Sequence, residues 1–133
     1  MSRTSVVLLG IALVAVVAHG CTGVVPLAPG YYPAMLDTGE VRVIDARTLD
    51  RAQTEAVLEQ HNVIGRFDVR VPQRGFDEKL AIELEKGKQR ALSAGGNVLM
   101  YTDDSELIAV IKHDARYAGA PDAITMYVML PRG

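Results

Sequence analysis

Few residues in this chain have the chemistry to act on a substrate. There is one cysteine, Cys21, and beyond it only two serines, Ser93 and Ser105. Neither serine stands in Gly-x-Ser-x-Gly, the sharp strand-to-helix turn that lifts a nucleophile clear of its backbone. Ser93 falls where a helix is ending and Ser105 in a capping stretch, so both are read as structural. A metal needs several converging ligands, and beyond Cys21 the histidines are His61 and His113 alone. These are read as surface or partly buried side chains. Asp103-Asp104 is the best-placed carboxylate pair for acid–base work, because it follows a strand where a cleft could open. Both residues equally suit the start of a helix, and capping is the preferred reading. Gly95-Gly96 leads out of a helix into a strand, the reverse of the order a phosphate cradle needs. Arg66, Arg70 and Arg74, with Arg47 and Arg51 in reach, could offer a cationic stripe to an anionic glycan or an acidic protein. Interleaved with Asp68, they read more simply as a solvated sheet face. The expectation is no catalytic residue, no cofactor site and no metal site.

Cys21 needs its own account, since a lone cysteine can form no internal disulfide. Before it comes Arg3, then Val6 to Ala18, thirteen uncharged and almost wholly apolar residues. That run suits the core of a secretory signal and falls short of the ~20 residues that span a bilayer. Small residues, Ala18 and Gly20, lie three and one positions before Cys21. Residues 18–21 resemble the lipobox of bacterial lipoproteins, in which the cysteine thiol is alkylated with diacylglycerol and the signal is cut just before it. The family favours Leu where this chain has Ala18, and His19 is unusual beside it. The resemblance implies a lipid on Cys21 and a membrane as partner. Thr22, where an Asp would hold a lipoprotein at the inner membrane, implies the outer membrane facing the periplasm in a host with two membranes. Cleavage by the general signal peptidase would instead leave a free thiol, and an uncleaved N-terminal anchor is a third outcome.

Composition excludes other partners. Of 133 residues, 14 are basic and 16 acidic. A chain that has lost Arg3 with its signal is slightly more acidic still, with no cationic surplus for nucleic acid or for anionic lipid. With no Trp and only Phe67 and Phe76, a base-stacking platform is not expected.

The elements that must position these residues follow from periodicity. Residues 22–39 hold three prolines and three glycines with no helical or strand period. They predict a tether, which if extended reaches on the order of 55 Å at ~3.1 Å per residue. Residues 41–46 predict a strand. Residues 49–60 predict a short helix with Leu49, Ala52, Ala56 and Val57 on its apolar side. Val63, Gly65, Phe67, Val69 and Val71 alternate with Ile64, Arg66, Asp68 and Arg70, the pattern of a strand with one face buried. Phe76, Leu80, Leu84, Gly87 and Ala91 keep helical spacing over 76–94, flanked by Ile82 and Leu92. Gly87 is costly inside a helix and predicts close approach to the sheet. Gly95 suits a left-handed helix stop. Val98–Tyr101 predicts a buried strand. Asp103 and Glu106 stand at capping-box spacing and favour a helix over 104–116, with a buried strand at 107–111 as the alternative. Ile124, Met126, Val128 and Leu130 predict a last strand. This alternation argues an α/β two-layer sandwich, a sheet of three or four strands with one to three helices packed on it. The domains expected are a signal peptide over 1–20, a lipidated N-terminus and flexible tether over 21–39, and one small globular domain over 40–133.

The order of the Val63–Val71 strand, a helix and then Gly95-Gly96-Asn97-Val98 resembles the core of small envelope lipoproteins related to the Rcs stress sensor. Members of that group carry disulfide cysteines, and the domain here has none, so no functional residue is carried over. The expected function is a membrane-anchored envelope lipoprotein acting as a non-catalytic interaction or sensing module. The other class is a small periplasmic enzyme or ligand carrier with a carboxylate and arginine pocket, which would require Asp103, Asp104 or Arg66 in a deep cleft.

Overall fold

The computed structural model describes residues 23–35, 40–103 and 123–133. The expected signal segment, Cys21, the helix expected over 104–116 with its alternative strand, Asp104, Ser105 and His113 lie outside them. Within them the order is β1 (Val25–Pro26), β2 (Arg42–Asp45), a 3-10 turn (Ala46–Thr48), α1 (Arg51–Gln60), β3 (His61–Arg70), α2 (Phe76–Ser93), β4 (Val98–Thr102) and β5 (Ala123–Pro131). The strands form one sheet in the order β1-β3-β5-β4-β2. β5 runs antiparallel to both of its neighbours, β3 and β4, while β2 lies parallel to β4. The fold is therefore the mixed α/β arrangement expected, a sheet with helices packed against it, with five strands in place of three or four.

The fifth strand comes from the stretch expected to run free. Val25 and Pro26 pair with Arg66 and Gly65, and the Leu27 amide donates to the Ile64 carbonyl at 3.0 Å. Further on, the Met35 amide donates to the Leu92 carbonyl at 2.8 Å. Residues 23–35 are a strap laid from the outer edge of β3 to the end of α2, not an open tether. Two features allow it. An edge strand tolerates Pro26 because it needs no donor toward solvent, and Gly65 has no side chain in the space that Val24 occupies.

The central strands β4 and β5 are buried on both faces. Ile64, Phe67, Val69, Leu99, Tyr101, Ile124, Met126 and Val128 meet Leu80 and Ala91 of α2 on one face. Val63, Val98, Met100, Tyr127 and Met129 meet Leu58 and Ala46 on the other. The alternation expected in β3 breaks at a register shift between Val63 and Gly65. The extra residue sends Val63 to the α1 face and turns Ile64 onto the α2 face. In β5 every residue from Ile124 to Met129 is buried, so alternation there marks two cores, not an inside and an outside.

The helices carry their own start and stop signals. Asp50 caps α1 in a reciprocal capping box with Gln53. Its buried residues are Thr54 and Leu58, while Ala52 and Ala56 are exposed, so the expected face is corrected. Thr54 can be buried because its hydroxyl donates to the Asp50 carbonyl at 2.8 Å, after which it packs like valine. In α2, Leu80, Gly87, Ala91 and Leu92 are buried as expected, while Ile82 is exposed. A Cβ on Gly87 would lie 2.9 Å from the Met126 sulfur and 3.0 Å from Leu99 Cδ2, which is the close approach its position implied. The helix stops through Gly95 at φ +90°, with Gly95 donating to Leu92 and Gly96 to Ala91. That is the paired bonding of a Schellman stop.

Candidate functional site

Among the described residues, the densest polar cluster stands at the carboxyl ends of the parallel strands β2 and β4, the edge where α/β sheets place their ligands. It is built from Asp45, Arg47 and Tyr101, with Phe76 beside them. Asp45 ends β2 and is in register with Tyr101 of β4. The chain then turns into the 3-10 segment, where the Asp45 carboxylate accepts from the Arg47 backbone amide at 3.0 Å. The same carboxylate takes the Arg47 guanidinium in a two-pronged grip, from Nε and Nη2, both at 2.9 Å. Arg47 Nη2 also reaches the Tyr101 hydroxyl at 3.4 Å. The guanidinium lies 5.1 Å from the Tyr101 ring centre and 5.9 Å from that of Phe76, within the range of cation–π attraction.

The electrostatics follow from this geometry. The bond from Arg47 holds the Asp45 carboxyl below its ordinary range, against a smaller opposing effect of burial. The same bond raises the already high pKa of the guanidinium. Burial, with the neighbouring Asp45 carboxylate, pushes the Tyr101 phenol up, so at neutral pH it is an uncharged donor and no nucleophile. Every charge in the group is answered within it. It joins the ends of β2 and β4 to the first turn of α2, and it offers no unspent charge to a substrate.

The cluster went unread in the sequence, although a signal existed. Asp45-Ala46-Arg47 sits directly behind the strand residues Val43 and Ile44, at the two-residue offset where a side chain can bond its own turn. Its partner Tyr101 is 54 positions on from Arg47, and only the pairing of β2 with β4 joins them.

The residues singled out in the sequence are dispersed. Arg47 is committed to Asp45, and Arg51 pairs with Glu55 on α1 at 3.1 Å. Arg66 is half-buried in the cross-strand row that runs through Tyr127 to Met100, while Arg70 and Arg74 are exposed. Asp68 accepts from the Thr125 hydroxyl at 2.8 Å. Asp103 is exposed, one residue past β4. It lies three residues beyond the row that holds Arg66, with β5 between the two strands, about 10 Å along and 10 Å across. The sheet therefore keeps the expected carboxylate and arginine, Asp103 and Arg66, apart. Ser93 is exposed in the last turn of α2, and Gly95-Gly96 is the helix stop. His61 is buried, with Nδ1 donating to the Val57 carbonyl at 2.7 Å.

Two hollows remain. An open groove of about 600 Å³ runs between the start of β2 and α2, lined by Glu40, Arg42, Glu85 and Lys88 among others. Lys88 is spent on Glu85 at 2.8 Å. A cleft of about 110 Å³ opens under the strap, between Val24, Tyr31, Tyr32 and Ala94. Among the described residues, no helix is long and apolar enough to cross a membrane. No family model matches the chain, and no curated protein or solved structure matches it either.

Proposed function

We propose that this chain is an exported lipoprotein, anchored through a lipid on Cys21, whose α/β domain is a non-catalytic interaction or sensing module. The observation that carries the reading is the position of the chain's only cysteine. It follows Arg3 and a thirteen-residue apolar run, with Ala18 and Gly20 at the positions a signal peptidase reads. The domain's best-formed polar group supports the non-catalytic half, because Asp45, Arg47 and Tyr101 satisfy one another. In a host with two membranes the reading places the domain on the outer membrane, facing the periplasm, with an envelope protein or an anionic glycan as its partner.

Mass spectrometry of the mature N-terminus tests the anchor. The expected product begins at Cys21 and carries two or three acyl chains, enough for durable attachment where one chain binds only marginally. It stays with membranes through a high-salt wash, since salt screens charge contacts and leaves acyl insertion intact. Cys21→Ser releases the protein or stalls its processing. An unmodified Cys21, or an intact Met1 with the apolar run retained, overturns the reading.

A further inference from the structure

From Thr4 to Leu36 the chain carries no Asp, Glu, Lys or Arg. The described part of that stretch, residues 23–35, is the strap on the domain's surface. Two of the three large hydrophobic side chains most exposed among the described residues belong to it, Val25 at 49% and Tyr31 at 81%. Pro26, Pro29 and Pro33 are exposed beside them. A surface strip free of charge and bearing an outward tyrosine has the composition of a membrane–water interface, where an amphipathic ring settles at headgroup level.

Chain length supplies the second observation. Val25 is fixed to β3 through its pairing with Arg66, and it follows Cys21 by four residues. Four residues reach at most about 14 Å at ~3.5 Å each. A lipid on Cys21 therefore keeps Val25 within about 14 Å of the anchor, because most of the slack expected of a tether over 21–39 is spent in the docked strap.

We infer that the strap face, centred on Val25, Pro29 and Tyr31, is the surface by which the domain rests on the lipid bilayer. The inference builds on the lipoprotein reading above. It turns the carboxyl end of the opposite edge strand, β2, outward. Three strands separate β2 from β1, a distance of about 19 Å over four inter-strand steps. The start of β2 lies near the strap's other end, since the Arg42 amide donates to the Asn97 carbonyl, two residues past the Gly95 on which the strap is seated. The start of α1 at Arg51, beyond the carboxyl end of β2 and exposed, is the point turned away.

The chain contains no tryptophan, so a single introduced one reports its own surroundings. Full-length Tyr31→Trp and Arg51→Trp proteins are processed in an expressing host and purified. They are then reconstituted into vesicles of phosphatidylethanolamine and phosphatidylglycerol containing a phosphatidylcholine with brominated chains. Flotation reads the anchor, and bromine quenching reads the face. The expected result is that both proteins float. Indole emission from the Tyr31→Trp protein shifts to the blue and is quenched, while that from the Arg51→Trp protein stays solvent-like and unquenched. If both float and neither is quenched, or both are quenched alike, the face assignment is overturned while the anchor stands. If neither floats, the anchor fails and the face assignment falls with it.

Discussion

Gly95→Ala separates the docking of the strap from the stability of the domain beneath it. Gly95 sits at φ +90°, and a Cβ there would lie 2.7 Å from the Tyr32 carbonyl oxygen and 2.8 Å from that of Pro33. Two costs arise. The left-handed backbone costs an L-residue ~1–2 kcal/mol. The overlap with strap backbone adds ~1–3 kcal/mol, the usual range for overfilled contacts. Gly75→Ala supplies the control. Gly75 is also left-handed, at φ +68°, but its added carbon would meet only Lys79 Cε, at 3.9 Å. It carries the first cost without the second, and both variants gain equally from a stiffer unfolded chain.

The expected difference between the two is therefore ~1–3 kcal/mol in denaturant unfolding. Its location is expected to be specific. The overlap is relieved most easily by lifting the strap, so amide exchange at Met35 and Leu27, which bond Leu92 and Ile64, should quicken in Gly95→Ala and not in Gly75→Ala. Equal midpoints, with the Met35 amide equally protected in both variants, would refute the claim that the strap is seated on the helix stop.

Three further outcomes follow from the core and the clasp. Leu99→Ala, at a fully buried position shared with Met126 and Val128, should cost ~2–5 kcal/mol, and Leu84→Ala, only partly buried, should cost less; reversal of that order in a thermal melt removes Leu99 from the centre of the core. Because Arg47 lowers the Asp45 pKa in the folded state, its contribution is present above the ordinary carboxyl range near pH 4 and is lost as pH falls below it; Asp45→Asn should flatten that acid loss. The raised phenol of Tyr101 adds stability below its ordinary pKa near 10, lost as pH rises past it, so Tyr101→Phe should flatten the alkaline limb. Unchanged pH–stability curves in both variants would dismiss the clasp.

What could be read from the sequence depended on whether the cause was local. The α2 span, the reason for Gly87 and the stop at Gly95 were legible, because helix period, helix crowding and the left-handed stop act within one or two turns. The bulge at Val63–Gly65 was not, since it arises from pairing with β5, some 60 residues on. The strap was misread for a related reason. Prolines and glycines remove any internal period, so the chain looks unstructured when its order comes from the edge of β3. Tyr101's part in the clasp was missed because only the pairing of β2 with β4 brings it to Arg47, 54 positions away, whereas the bonds of Thr54 to Asp50 and of Arg47 to Asp45 are local and were legible in principle.

The arginines of β3 gain a structural meaning from the same edge. β1 covers β3 for only two residues, and beyond Arg66 the outer edge from Phe67 to Arg70 meets no further strand among the described residues. An open edge of that kind templates pairing with another chain, and natural sheets guard it with charge. Asp68 and Arg70 stand along that length, both exposed. The expectation from that position is that Arg70 holds other chains off more than it recruits a ligand. Arg70→Val keeps a good strand former at an exposed site while removing the guard, so the fold should survive and self-association should rise with concentration. Sedimentation velocity over a dilution series of the full chain in detergent checks this. If Arg70→Val sediments as the unsubstituted chain does at every concentration, and binding to an anionic glycan falls with the same change, the edge-guard account is refuted in favour of a recognition surface.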